Sequence, residues 1–516
     1  MDITWVNTVL DWMAMVFILV VGFLFLLIIV YYFIDRFQTE HAIRHNYPVI
    51  ARFRYLFEYL GTFLRQYMFA ADQDERPFNR AQRSWVYRAG KNLSTTEAFG
   101  STRNISFPGK ILFTSCPFPL LERDAVSSPP LVIGENCKTP FKATSMFNIS
   151  GMSFGALSKP AVLALSKGAK KAGCWMNTGE GGISPYHLEG GADLIAQIGT
   201  AKYGYRDKNG DLSNEKLREA AVIEQVRMFE IKLSQGAKPG KGGILPAAKI
   251  TKEIAEIRGI PVGVSSISPN RHADIACNDD LLAMIARIRE VTGKPVGFKF
   301  VMGSPEWLES LCLRINEVGK ESAPDFITID GAEGGTGSAP VALMDDVGIS
   351  LNESLPYVID ILTKYGLRDQ VKVIASGKLT NPTKVAWALA VGTDFITSAR
   401  GFMFSLGCIQ SMHCHKDTCP TGIATHNERL QSGLSPKKKS QRVMNYHHNL
   451  IHEVELIAHS CGVAEPRGLT RHHVRIVQNS SRSKPFSEIF PDETPIDFQG
   501  ISVEVKPVNA VERHAS

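Results

Sequence analysis

Residues 371–401 read VKVIASGKLTNPTKVAWALAVGTDFITSARG. A β-rich run, 371–376, stops at Ser376-Gly377-Lys378. A helical pattern, 382–391, follows. A second β-rich run, 395–398, then stops at Ser398-Ala399-Arg400-Gly401. The same alternation reaches back to about residue 145, with further β-rich runs at 147–153, 175–179, 229–234, 262–267, 296–302 and 326–330. Helical patterns at 159–172, 279–292 and 306–318 lie between them. Eight strands alternating with helices predict an α/β fold, a (β/α)8 TIM barrel, with an open doubly wound sheet as the alternative. No G-x-G-x-x-G follows any of these strands, which counts against a dinucleotide-binding unit.

In such a barrel the chemistry gathers where strands end. Those ends carry Gly151-Met152-Ser153, Asn177-Thr178-Gly179-Glu180, Lys238-Pro239-Gly240, Ser268-Pro269-Asn270-Arg271-His272, Glu333-Gly334-Gly335-Thr336, Ser376-Gly377-Lys378 and Ala399-Arg400. Glycine lets a backbone approach a flat ring or a phosphate, and the ends of the last two strands are the usual phosphate cradle. Any one such turn is ordinary; their recurrence on one barrel face points to a ligand. Lys299 lies inside the apolar string Gly297-Phe298-Lys299-Phe300. A lysine there needs a partner for its charge. It is either half of an internal ion pair or a cation beside a flavin, where negative charge collects on reduction.

Directly after the last strand come Cys408, Cys414 and Cys419, with Pro420 following the third. The other six cysteines are scattered singly, as suits a reduced compartment. Zinc could take the three thiolates with His413 or His415. An iron–sulfur cluster could take the three alone, and a proline after the last cysteine is common in such runs. Three inert core cysteines are the plain alternative.

The chain has 516 residues, 44 % hydrophobic and 21 % charged, with a net charge of +6. That length suits two or three domains, or one large barrel with extensions. The charge is too small and dispersed to indicate nucleic acid. Residues 12–34 contain no charged side chain, enough to span a bilayer. Arg36, Arg44, Arg52 and Arg54 follow, whereas Asp2 and Asp11 precede. A cleaved signal peptide would carry its positive charge first. The pattern predicts a single-pass anchor over residues 1–36 in the cytoplasmic (inner) membrane, with the catalytic bulk in the cytosol. Residues 52–67 mix arginine and aromatic side chains at helical spacing, fitting either a membrane surface or packing on the main domain. Residues 71–84 read as a linking loop.

At Met152–Ser158, Gly179–Gly182, Gln235–Gly240, Gly334–Gly337 and Leu406 through Pro420, the chain resembles the FMN-binding synthase domain of glutamate synthase, most closely its short membrane-anchored branch. The likeness covers residues 145–427. It implies FMN in the barrel, held around Gly151, Met152, Ser153, Asn177, Lys299, Glu333, Gly334, Gly335, Thr336, Ser376, Gly377, Lys378, Ala399 and Arg400. It implies a [3Fe–4S] cluster on Cys408, Cys414 and Cys419. Lys238 and Arg258 fall where the family binds 2-oxoglutarate carboxylates, Glu180 near its ammonia route, and Lys299 joins them as a catalytic candidate. The sequence departs from the family at Lys241, where an acid is expected, and at Ile244, where a glutamine is expected.

The implied activity is reductive amination of 2-oxoglutarate, or a similar 2-oxo acid, to glutamate with ammonia. Electrons would come from a ferredoxin or a reductase subunit. Alternatives are an N-methyl-amino-acid synthase subunit, a membrane-attached flavin and iron–sulfur electron-transfer subunit, and a zinc-bearing scaffold. Residues 37–144 are expected to form a helical and linker region packing on the barrel. Residues 428–516 are expected to form a helical extension and tail.

Overall fold

The computed structural model describes residues 3–479 and 482–495. The end of the expected tail, 496–516, lies outside the described residues. The chain forms two compact units, one up to Ala81 and one from Gln82 on.

In the first unit the helix Ile3–Phe37 is long and apolar enough to cross a membrane. Its last turn buries Asp35, whose carboxylate accepts from Arg52 Nε at 2.8 Å, Arg52 Nη2 at 2.7 Å and the Val49 backbone N–H at 3.0 Å. A buried carboxylate needs such partners. They fix the start of the following helix, Ile50–Leu64. The expected loop over 71–84 is shorter than read, because a helix begins at Arg80.

The second unit is built on a closed barrel of eight parallel strands. We number these β1 Phe147–Ile149, β2 Met176–Asn177, β3 Leu194–Ile198, β4 Val226–Lys232, β5 Val296–Phe300, β6 Phe326–Asp330, β7 Lys372–Ser376 and β8 Phe395–Ser398. Seven of the eight were expected. The run 262–267 is not a barrel strand: only Ser266–Ile267 is extended, paired antiparallel with Ile244–Leu245. Val262, Val264 and Ile267 stand outward, 58 %, 56 % and 62 % exposed. The missing barrel strand is β3.

A hairpin of Leu131–Ile133 and Phe141–Ala143 contributes Ile133, Phe141 and Ala143 to a cluster with the barrel residues Trp175, Ile195, Met228, Phe326, Ile374 and Phe395. That apolar cluster fills the end of the barrel where strands begin and leaves polar residues for the other end. The long helix Pro436–Ser460 packs on Lys159–Ala172, the helix after β1. They meet at Gly168, where any Cβ would collide with the Val443 side chain.

Candidate active site

The register of β4, β5 and β6 sets Lys232, Lys299 and Thr328 in one row. Lys299 is buried, and its Nζ sits 3.1 Å from Asp330 Oδ2. Burial works against its charge, but Asp330 and then Glu230 outweigh it and hold the ammonium above its ordinary pKa. Asp330 also accepts from the Gly236 backbone N–H at 2.9 Å. Glu230, buried on β4, accepts from Asn177 Nδ2 at 2.8 Å, Gln197 Nε2 at 2.6 Å and Thr328 Oγ1 at 2.6 Å. Lys299, Asn177, Glu230 and Thr328 line a small polar pit with Ser150 and Thr397. The Thr397 hydroxyl is buried there without a hydrogen-bond partner among the described residues.

A second cluster stands on the loops above. Glu180 accepts an ion pair from Lys232 Nζ at 2.9 Å. Burial would raise its pKa, but Lys232, Lys238 and Arg258 hold it below the usual carboxylate value. Gly199 and Gly243 wall it in: a Cβ on Gly199 would come within 2.6 Å of the Glu180 Cβ, and one on Gly243 would collide with its carboxylate. Lys238 is buried, donates to Ser338 O at 3.3 Å, and is pushed down to about 8 by burial and then by Lys232. Arg258 ends the helix Lys252–Arg258 and reaches Ser153 Oγ at 3.3 Å and Phe154 O at 3.4 Å. Its Nε and the Nδ1 of buried His272 have no hydrogen-bond partner among the described residues. Thus Glu180, Lys238 and Arg258 converge, with Lys299 on the strand beside Lys232.

Several glycines let parts of the chain approach one another closely. Gly179 has φ +67°, and a Cβ there would lie 2.5 Å from the Ser153 backbone N. Gly236 presses against the Gly331 and Gly334 backbones, so these glycines let loops pack on each other. Gly335 leaves room for Arg400. Lys378, at φ +51°, and Gly377 close β7. Glu333 accepts from the Leu351 backbone N–H at 3.1 Å.

Arg400 links this mouth to the cysteine loop. It donates to Thr336 O and lies 3.9 Å from Cys414 Sγ. Burial opposes its charge, but Cys414 and then Cys408 raise its pKa. Cys408 and Cys419 are buried, and burial pushes the Cys408 thiol up. Lys249, also buried, donates to Ala156 O at 2.7 Å, Ala424 O at 3.1 Å and Cys414 O at 3.3 Å, pinning the loop to the turn after β1. Among the described residues no three His, Cys, Asp or Glu side chains converge as ligands of one ion. His415 is exposed, and His413 Nδ1 faces Thr418 Oγ1 at 3.4 Å.

Lys232, Glu230, Asp330 and Lys249 were not picked from the sequence. The criterion that singled out Lys299, a charge inside an apolar strand, applies equally to Glu230 and Lys232 in Phe229-Glu230-Ile231-Lys232.

The family profile described as "Conserved region in glutamate synthase" matches residues 116–464, which takes in the barrel, both clusters and the cysteine loop. The chain belongs to the glutamate synthase family. As a member it is an oxidoreductase. It is 42 % identical over 482 residues to the glutamate synthase large subunit-like protein YerD of Bacillus subtilis, covering 86 % of this chain and 91 % of that one. It is 33 % identical over 317 residues to the archaeal-type glutamate synthase [NADPH] of Thermotoga maritima. That match covers 61 % of this chain and 59 % of the enzyme. Among solved structures, the recombinant flavin-binding domain of baker's yeast flavocytochrome b2 aligns with a TM-score of 0.42 at 13 % identity, over 87 % of this chain and 93 % of that one.

Proposed function

We propose that this glutamate synthase family member aminates 2-oxoglutarate, or a similar 2-oxo acid, reductively to glutamate with ammonia. The observation that carries the reading is the buried cluster of Lys232, Lys238 and Arg258 around one carboxylate, Glu180. Three cations against one anion leave positive charge for a dianionic substrate, and fixed cations orient carboxylates. Lys238 Nζ and Arg258 Nε are the donors that the substrate's oxygens would meet. Glu180 stays anionic and offers ammonium a counter-ion.

Ammonia replaces the 2-oxo oxygen to give an imine and water; the imine then takes up a hydride and a proton to become the amine. FMN bound at the barrel mouth would supply the hydride. The donors present fit that ring: the Lys299 ammonium is held from one side by Asp330, and Thr397 Oγ1 has no partner among the described residues. Glu333, Gly334, Gly335, Thr336, Ser376, Gly377, Lys378, Ala399 and Arg400 would hold the rest of FMN, together with Gly151, Met152, Ser153 and Asn177.

Cys408, Cys414 and Cys419 would hold a [3Fe–4S] cluster through which an electron donor, such as a ferredoxin or a reductase subunit, feeds the site. A single zinc ion needs its thiolates to converge, whereas a cluster takes one thiolate per iron. All three cysteines act on Arg400, next to the proposed flavin site, where an electron relay would belong. The helix Ile3–Phe37 would anchor the chain to the cytoplasmic membrane with the barrel in the cytosol.

The deciding experiment mixes the anaerobically reduced full-length protein with 2-oxoglutarate and ammonium. Reoxidation of the flavin with stoichiometric glutamate is expected. Reduced flavin that survives this pair, yet is drained by other acceptors, would refute the reading. A parallel run with methylamine separates it from N-methyl-amino-acid formation.

A further inference from the structure

We propose that the helix Ile50–Leu64 lies in the lipid–water interface, its aromatic face in the headgroup region beside the anchor. The inference rests on the reading of Ile3–Phe37 as that anchor and goes beyond it by assigning a second, in-plane contact.

Phe53, Leu56, Phe57, Leu60, Phe63, Leu64 and Tyr67 recur at intervals of three and four and form one stripe. Phe53, Leu56, Phe57, Phe63, Leu64 and Tyr67 are all exposed, and Phe57 is 63 % exposed. Glu58 and Arg65 fall toward the opposite face, and Arg54 lies at the stripe's border. A soluble surface rarely carries such a row of exposed aromatic and leucine side chains. An apolar aromatic stripe backed by arginine is the pattern of a helix lying in a membrane surface.

The occupant is argued from continuity with the spanning helix. The segment starts where Asp35, in the last turn of that helix, takes the Arg52 guanidinium with two bonds and caps the Val49 N–H. The Arg52 guanidinium also covers the Tyr31 ring, 4.1 Å from its centroid. Arg44, on the short helix between, covers Tyr55 at 4.7 Å. The latch therefore holds the amphipathic helix at the point where the apolar span ends, and a bilayer's interface lies there. Arg54 and Arg65 suit anionic headgroups.

The test places a diazirine-bearing residue at Phe57, at Glu58 or at Leu24 in the full chain. Each protein is then irradiated in bilayer nanodiscs of phosphatidylethanolamine and phosphatidylglycerol. Lipid adducts are expected at positions 24 and 57, with about tenfold fewer at 58. Lipid adducts at 24 with position 57 cross-linked instead to residues 82–495, or to a second copy, would overturn the interfacial helix while sparing the anchor. Absence of lipid adducts at 24 would remove the anchor reading, and this inference with it.

Discussion

Lys232 and Lys299 are register partners on adjacent parallel strands, yet each ammonium closes on a different acid. Lys232 meets Glu180 at 2.9 Å and Lys299 meets Asp330 at 3.1 Å. Two buried cations side by side repel, so each depends on its own carboxylate. One acid belongs to the loop after β2 and the other to the end of β6. The lysine pair thus divides the mouth into a proposed substrate side and a proposed flavin side.

Removing one member of the deeper pair strands the other. Lys299→Met is expected to destabilise the protein by about 3–5 kcal/mol, because Asp330 is left buried without its cation. The double variant Lys299→Met, Asp330→Asn should recover at least half of that loss. Thermal midpoints of the full-length protein check both. Equal midpoints for single and double variants would deny the pair its structural role.

Lys238 makes the substrate side sensitive to alkali. Its folded pKa of about 8 lies below the ordinary lysine value of 10.5. The ammonium is therefore present below about 8 and lost above it, and with it one attraction for a dicarboxylate. The affinity for 2-oxoglutarate should fall by up to about tenfold per pH unit above 8. Lys238→Met should bind weakly at every pH and show no such slope. For stability the sign is opposite. The unfolded chain binds more protons between pH 8 and 10.5, so this lysine's burial costs stability below 8 and that cost fades as pH rises through the window.

His187 acts in acid. Burial pushes it from the ordinary histidine value of 6.5 down to about 4. Between those values the unfolded chain takes up a proton that the folded chain does not. Stability is lost as pH falls from 6.5 toward 4, by about 3 kcal/mol from this residue. His187→Gln should flatten that part of the curve of thermal midpoint against pH, even if its midpoint at pH 7 is lower.

Gly243→Ala isolates the position of one carboxylate. Its new Cβ would collide with the Glu180 carboxylate, the movable end of a side chain, so the fold should survive and the pairing with Lys232 should not. A displacement of this kind costs catalysis about 100-fold. Turnover of the reduced protein with 2-oxoglutarate and ammonium is the readout. Unchanged turnover would remove Glu180 from the chemistry.

Cys414→Ser tests the proposed cluster. Iron content should drop to background while bound flavin and far-ultraviolet dichroism persist, since the barrel strands do not depend on the loop. Full iron retention would send the search for ligands elsewhere.

The barrel was legible because its helices announce themselves: Lys159–Ala172 and Pro382–Val391 lie where the pattern set them. β3 was not. Leu194-Ile195-Ala196-Gln197-Ile198 is buried on both faces and shows no alternation, while 262–267 has the β-rich composition without the burial. Strand preference reflects packing context more than intrinsic conformation, so composition alone chose wrongly between them. At the site, motif strings located Glu180 and Lys238, and the family resemblance added Arg258; the structure brings the three together. Lys232 met the criterion that singled out Lys299 and was passed over, whereas Asp330 escaped because its meaning lies in pairing with groups distant in sequence. Lys249 escaped because its three carbonyl partners come from segments far apart in the chain.

The contact at Gly168 bears on how this protein could be shortened. The helix Lys159–Ala172 is wedged under Val443 so tightly that only hydrogen fits between them. Trimming the chain after residue 427 would strip a lid from the first barrel helix and bare its alanine- and leucine-rich flank to water. Such a fragment should clump rather than refold, so any minimal soluble version must keep residues 436–460 along with the barrel.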